Sequence, residues 1–186
     1  MPTTRDTTQD KRVPLAGRKS VIRAQLALAC LGEAAMLGGF ALRAREAFMV
    51  QGSPVSASSM GLFLGGAALV VLVLIAHTYL VWSAIRERTR RTTPLRAAGF
   101  LLVPCFNLYW IFVAVYGFVR QYNAHAADPG RGVPRMPYSA HLLFCMAACA
   151  SVLPYAGVPA SAAMLPLLLL VLSMDGRALS RLAAVY

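Results

Sequence analysis

Three side chains in the last third of the sequence have the types and spacing of a metal site. His141, Cys145 and Cys149 recur every four residues, so they share one face if the segment is helical. An imidazole with two thiolates suits copper or zinc, with a fourth ligand from Cys105 or a methionine. Cysteine and alanine at this spacing also serve close helix packing. We expect packing, no metal and no other cofactor, and keep the three residues as the metal candidates.

Glu33 stands out among the ionisable residues because it lies near the middle of an apolar segment. A carboxylate at mid-depth in a bilayer costs roughly 2.5–3.5 kcal/mol on insertion scales, so Glu33 should face the protein interior or be protonated. Two interpretations follow: a glutamic acid packed against a tyrosine, a histidine or a carbonyl, or a proton or cation site. His77 is expected to form hydrogen bonds at the membrane boundary.

Sequence motifs of the common enzyme classes are missing from the chain. It contains no HExxH, no GxSxG, no glycine-rich phosphate loop and no CxxC. Glu33 and His77 would form a hydrolytic pair only if folding brought them together near water. We therefore predict that the protein is not an enzyme and has no catalytic residues.

The composition is that of a membrane protein. Of 186 residues, 58% are hydrophobic, against about 45–50% in soluble domains. The net charge is +11, but the basic residues flank apolar segments, so we expect a lipid bilayer and no nucleic acid as the partner. All four cysteines lie inside apolar segments, and we expect no disulfide.

Hydropathy divides the chain into a tail, a membrane domain and a second tail. Residues 1–20 read as a disordered, basic, cytoplasmic tail without a secretory signal, and residues 176–186 as a short polar tail. The domain between them, 21–175, has apolar segments at about 21–42, 60–83, 94–122, 139–153 and 159–174. In the second segment, Gly61 and Gly65 form a GxxxG pair, which predicts close packing within the protein or, as the alternative, a dimer seam.

The segment 94–122 is the most distinctive of the five. Thr93 is a good helix cap, and Pro94 suits the first turn. About 23 apolar residues follow, from Ala97 to Val119, interrupted by Pro104 and Asn107. Pro104 breaks the helical hydrogen bonding, and the Asn107 side chain can cap a restarted helix inside the bundle. The segment either kinks and crosses the membrane or forms a re-entrant element.

The same stretch resembles a family of small, uncharacterised bacterial membrane proteins with a TTP, GF, PxFNLYWIF and glycine core. The matching residues are Thr92-Thr93-Pro94, Gly99-Phe100, the run from Pro104 through Asn107, Tyr109 and Trp110 to Phe112, and Gly117. Cys105 stands where that family usually has phenylalanine, and the GYF-like domain that some members carry does not fit in the short amino-terminal tail. The resemblance implies a membrane location and no particular activity.

Basic residues decide between the two topologies. If all five segments cross, 11 lysines and arginines lie inside and 7 outside; if the Pro104 segment re-enters, 16 lie inside and only Arg43 and Arg45 outside. We predict an all-α polytopic bundle with four full spans and one broken or re-entrant helix, with five spans as the alternative. Both termini would be cytoplasmic in an inner (plasma) membrane. The basic loop Arg86–Arg96 would also attract anionic lipid.

Three classes of function remain open. The first is a non-catalytic packing or scaffolding module with a membrane protein partner or a second copy of itself. The second is a small transporter or channel component that uses Glu33, Asn107, Asp175 and the broken helix. The third is a membrane enzyme or metal-handling protein built on the His141 face. The small number of charged residues at depth favours the first class.

Overall fold

The computed structural model describes residues 15–49, 56–85, 92–103, 105–127, 133–153 and 157–184, and every regular element in these ranges is helical. The helices are α1 (Leu15–Met49), α2 (Ala57–Ile85), α3 (Pro94–Gly99), α4 (Phe106–Ile111), α5 (Gly117–Ala126), α6 (Ser139–Ala150) and α7 (Gly157–Ala184). A 3-10 turn, Phe100–Leu102, continues α3, and a π-helical turn, Phe112–Tyr116, joins α4 to α5.

Three of these helices are long and apolar enough to cross a membrane: Ser20–Glu46, Ala57–Ile85 and Ala160–Leu182. Only 22% of the most apolar stretch of the second is buried within the protein, so most of its side chains face outward. Such a surface suits lipid and not water. The prediction of an all-helical, multi-pass membrane protein is confirmed at this level. With 12 residues, α6 rises only about 18 Å, so the described residues contain three helices of spanning length where four full spans were predicted.

Helices extend into both of the predicted tails. Helix α1 begins at Leu15, so residues 15–20 are helical and not part of a disordered tail, whereas residues 1–14 lie outside the described residues. Helix α7 continues to Ala184 through most of the predicted polar tail. It continues because apolar residues keep helical spacing there, and Ala178, Leu179 and Leu182 are buried.

Glycines bring α1 and α2 into close contact, but not the predicted pair. A Cβ on Gly66 would lie 2.4 Å from the carbonyl oxygen of Gly32, and one on Gly39 would lie 2.7 Å from the amide nitrogen of Phe63. Gly61 and Gly65 have no atom within 4 Å of a Cβ and are exposed. The prediction that this GxxxG pair packs within the protein is therefore wrong: the neighbouring Gly66 lies on the face that meets α1.

Buried apolar side chains form two clusters along the bundle. The central cluster contains Ala29, Val70, Val73, Leu101, Ile111, Ala114, Val115, Phe144, Cys145, Leu168, Val171 and Leu172. The end cluster contains Val81, Trp82, Ile85, Ala97, Phe118, Val119, Tyr122, Val133, Met136, Ala178, Leu179 and Leu182. Both ends of the region from α3 to α5 thus contribute to the end cluster, while its middle packs in the central cluster.

The start of α3 follows the sequence prediction. The Thr93 hydroxyl accepts a hydrogen bond from the Arg96 amide at 3.3 Å, and Pro94 occupies the first turn, so the predicted cap is confirmed. Trp110 donates from Nε1 to the Ala97 carbonyl at 3.0 Å, which ties α4 back to α3. Its ring and that of Phe100 stand edge to face, with centroids 4.8 Å apart, and Tyr109 is 64% exposed.

The turn between Leu102 and α4 differs from the prediction. Cys105 precedes α4 with φ at 62° and makes no capping hydrogen bond through its side chain. Asn107 is the second residue of α4 and is partly exposed. Its backbone N–H donates to the Val103 carbonyl at 3.0 Å. The predicted Asn107 cap, buried inside the bundle, is therefore wrong. Pro104 lies outside the described residues.

Candidate functional site

Four buried polar side chains form one hydrogen-bonded chain, which we call the buried polar chain. Asp175 accepts hydrogen bonds from two histidines: Oδ2 lies 3.0 Å from His77 Nε2, and Oδ1 lies 2.9 Å from His141 Nε2. The other nitrogen of His77, Nδ1, lies 3.0 Å from Gln25 Oε1. None of the four residues is more than 7% exposed. The chain therefore joins two imidazoles and a carboxyl in a setting without bulk water.

Each member of the buried polar chain lies on a different helix: Gln25 on α1, His77 on α2, Asp175 on α7 and His141 on α6. His77 lies between the central-cluster and end-cluster residues of α2, and Asp175 lies between those of α7. Close approach of α1 to α7 is possible here because Gly176 has no side chain; a Cβ there would lie 2.9 Å from Ile22. The polar chain thus occupies the boundary between the two apolar clusters.

Helical spacing explains why these polar residues are buried. On α7, Val171 and Leu172 are buried, then Asp175, then Ala178 and Leu179. Positions three and four apart lie on one face of a helix. Asp175 therefore replaces an apolar residue in the stripe that faces the bundle, and His77 does the same on α2 between Val73 and Val81.

The hydrogen bonds set which ring nitrogens face Asp175 and which one faces Gln25. A carboxylate only accepts, so His77 and His141 both donate from Nε2 to Asp175. His77 Nδ1 faces the amide oxygen of Gln25, which also only accepts. His77 is then satisfied as an imidazolium paired with the Asp175 carboxylate. If the Gln25 amide turns by half a rotation, its NH2 group faces Nδ1 and satisfies a neutral His77.

His141 differs from His77 in its second nitrogen. Its Nδ1 is buried and has no hydrogen-bond partner, and the residue is 0% exposed. A second proton there would bury both an unpaired N–H and another positive charge, which is costly. A single proton on Nε2 therefore completes the hydrogen bonds that His141 makes. The hydrogen bonds of the whole chain can be completed with or without a proton on His77 Nδ1, depending on how the Gln25 amide is turned.

The metal candidates do not act together. The Cys145 thiol donates to the Ile111 carbonyl at 3.6 Å, and the Cys149 thiol donates to the Leu108 carbonyl at 3.5 Å, whereas His141 turns to Asp175. Within the described part of the chain, no group of three or more histidine, cysteine, aspartate or glutamate side chains could hold a metal ion. The two thiols instead hydrogen-bond to α4 carbonyls.

The other predicted site residues lie apart from the buried polar chain. Glu33 faces the protein interior, as predicted, and is 3% exposed. It is eight residues beyond Gln25 on α1, which corresponds to a rise of about 12 Å. His77 hydrogen-bonds to Gln25 and Asp175, so no Glu33–His77 pair forms. Of the arginine loop, residues 86–91 lie outside the described residues.

Sequence reasoning missed the chain because it placed the members in separate groups. Asp175 was named with Glu33 and Asn107 as a transport candidate, and His141 was named as a metal candidate. His77 was expected at the membrane boundary, and Gln25 had no predicted role. The available signal was the stripe of buried positions on α2 and α7, in which a histidine and an aspartate replace apolar residues.

Neither a protein-family model, nor a curated protein, nor a solved structure matches this chain. The family resemblance in residues 92–123 therefore stays a prediction.

Proposed function

We propose that the protein is a small multi-pass transport component that takes up and releases a proton at the buried polar chain. The observation that carries this proposal is a carboxyl bridging two imidazoles, by hydrogen bonds of 2.9 and 3.0 Å, inside apolar helices. Ionisable groups at membrane depth are costly, and they commonly serve proton relays. Simple packing would be achieved by apolar side chains at no such cost.

The arrangement of helices supports a re-entrant topology. The buried polar chain joins Gln25, in the first half of α1, to His77 and Asp175, in the second halves of α2 and α7. Helix α1 therefore runs opposite to both α2 and α7. Ala97 in α3 and Tyr122 in α5 both pack in the end cluster, beside Ile85 at the end of α2. We therefore propose that residues 94–126 enter and leave at one end, while α1, α2 and α7 each cross the membrane. The shorter α6, together with residues 133–138 and 151–153 on either side of it, would make the fourth crossing.

The distribution of basic residues supports the orientation. In this topology, 16 of the 18 lysines and arginines lie at the end that carries both termini, and only Arg43 and Arg45 lie at the other. Short basic loops remain in the cytoplasm. We propose that both termini face the cytoplasm and that the protein resides in an inner (plasma) membrane, with Arg86–Arg96 near anionic lipid.

Proton flux in proteoliposomes tests the function. The purified full chain is reconstituted with a pH-sensitive dye inside the vesicles, and the internal pH is followed after an imposed gradient with valinomycin and potassium. We expect proton entry above that of empty vesicles, and its loss in Asp175→Asn and His77→Gln. His125→Gln is the matched control, because His125 is not a member of the buried polar chain, and this variant should keep the flux. Equal flux from the wild type and a correctly folded Asp175→Asn protein would overturn the proposal.

A second candidate is a packing or scaffolding module, favoured by the exposed aromatic surface at the α3–α4 turn. Phe100, Phe106 and Tyr109 are 39%, 40% and 64% exposed, and the phenylalanine rings contact each other with centroids 5.6 Å apart. Exposed aromatic clusters are suited to binding another membrane protein. Affinity capture from native membranes, compared with a Phe106→Ala and Tyr109→Ala variant, separates the two candidates. A stoichiometric partner lost in that variant, without proton flux, would favour scaffolding.

A further inference from the structure

We propose that Glu33 is a second proton-binding site, in which a carboxylic acid in the middle of the membrane holds its own proton apart from the buried polar chain. The inference rests on the proposed function, since it gives the proton a second site within the same bundle. Its test below does not depend on flux.

Glu33 lies at the centre of the first span. It is 13 residues from each end of Ser20–Glu46, which places it about 20 Å from either end along α1. The residue is 3% exposed, and no described residue exchanges a hydrogen bond with it. Its carboxyl oxygens retain part of that small exposed area, since neither is among the fully buried unpaired atoms. Buried polar groups that serve packing usually have partners; for example, buried Asn123 both donates to and accepts from the Met136 backbone. Glu33 lacks the bonds that a packing role would give it.

No nearby charge supports an ionised Glu33. Helix α2 contains no lysine, arginine, aspartate or glutamate, and its one histidine, His77, is bonded within the buried polar chain. The closest basic residues on α1, Arg23 and Arg43, are each ten residues away. A carboxylate without a cation or donors is strongly disfavoured at this depth. Metal cations such as Ca²⁺ need about six or more oxygen ligands, which a single carboxyl does not supply. The ligand that matches the site is therefore a proton.

An apolar gap separates Glu33 from the buried polar chain. Gln25, Ala29 and Glu33 are spaced four apart on one face of α1, and Ala29 between them is 0% exposed in the central cluster. On the Glu33 side, Gly32 lies against Gly66 and Val70 of α2. The two sites thus lie on opposite sides of a dry contact, so each holds its proton without a hydrogen bond to the other.

Labelling with a carbodiimide tests the protonation of Glu33 directly. A protonated carboxyl adds its O–H across a C=N bond of N,N′-dicyclohexylcarbodiimide, and acyl transfer to nitrogen leaves a stable N-acylurea without a leaving group. The full chain in lipid nanodiscs is treated, digested and analysed by mass spectrometry. We expect one reagent added to the peptide containing Glu33, none in Glu33→Gln, and none with a charged, water-soluble carbodiimide. Glu46, at the end of the same span, is the carboxyl against which the labelling of Glu33 is compared in each sample.

The outcomes separate this inference from the proposed function. Asp175→Asn should abolish proton flux but keep the Glu33 label, because the two sites are independent. If the Glu33 peptide is recovered unmodified by the apolar reagent, or if sodium ions protect Glu33 where potassium ions do not, Glu33 is not a proton site. Either result would leave the Asp175 flux experiment to stand on its own.

Discussion

At the residue scale, Asp175 organises the buried polar chain because it is the acceptor for both histidines. Asp175→Ala would leave the buried Nε2–H donors of His77 and His141 without their acceptor. Breaking a buried pair in this way typically costs about 3–5 kcal/mol. We expect a loss of this size in the free energy of unfolding, measured by denaturation in mixed micelles.

Ser173→Ala on the same helix is the matched control for Asp175→Ala. Its hydroxyl donates only to the Leu170 carbonyl of its own helix, and the bond is exposed. We expect a change within about 0.5 kcal/mol. Equal stability of the two variants would mean that Asp175 makes no structural hydrogen bonds.

Cys105 gives a second prediction at this scale. With φ at 62°, it occupies a region that favours glycine. Cys105→Gly should raise the free energy of unfolding by about 1 kcal/mol as the backbone strain is relieved. Cys30→Gly, also at an exposed cysteine but inside α1, should lower it by about 1 kcal/mol. A loss of stability in Cys105→Gly, measured by the same denaturation, would contradict the strained turn.

Single residues could be selected from the sequence, but not their partners. The inward direction of Glu33 and the Thr93 cap were predicted correctly because each depends on its own helix. His141 was selected for its spacing from Cys145, yet it bonds to Asp175, 34 residues further along the chain. Spacing within one helix carries no information about which other helix lies against it.

At the scale of elements, the contact between α1 and α2 depends on Gly66. A Cβ there would lie 2.4 Å from the Gly32 carbonyl oxygen, and backbone atoms cannot move aside cheaply. Gly66→Ala should therefore destabilise the protein by about 1–3 kcal/mol, as overpacking does. Thermal unfolding followed by circular dichroism measures the change.

Gly65→Ala is the matched control one position away, because a Cβ on Gly65 meets no atom within 4 Å. It should be neutral or stabilising by up to about 1 kcal/mol, since alanine favours the helix. If Gly65→Ala destabilised the protein more than Gly66→Ala, the prediction that Gly61 and Gly65 pack within the protein would be supported instead. The sequence contains glycines at 61, 65 and 66, and only the position of α1 decides which of them is covered.

At the scale of the whole molecule, the path of residues 94–126 sets the topology. Single cysteines at Thr92 and Ala127, in a protein without native cysteines, should react with an impermeant maleimide from the same side of a sealed vesicle. A cysteine at Ser56, in the connection between α1 and α2, should react from the opposite side. Labelling of positions 92 and 127 from opposite sides would mean that the segment crosses the membrane.

Sequence patterns could predict the class of the molecule but not its whole architecture. Hydropathy gave the all-helical, membrane-embedded character, because apolar length alone determines it. It ended the last segment at residue 174, although α7 continues to Ala184. The charge of Asp175 and the two arginines that follow obscured an apolar stripe that buries Ala178 and Leu179.

The most direct measurement of the central claim is nitrogen NMR of isotope-labelled histidine in the full chain in lipid. Imidazolium, neutral and metal-bound nitrogens have distinct shifts, and His77→Gln and His141→Gln variants assign the signals. We expect a proton on Nε2 of both His77 and His141, where each faces Asp175, and a change in the nitrogen shifts of both histidines in Asp175→Asn. Histidine signals that are identical in the wild type and Asp175→Asn would show that no proton-binding chain exists.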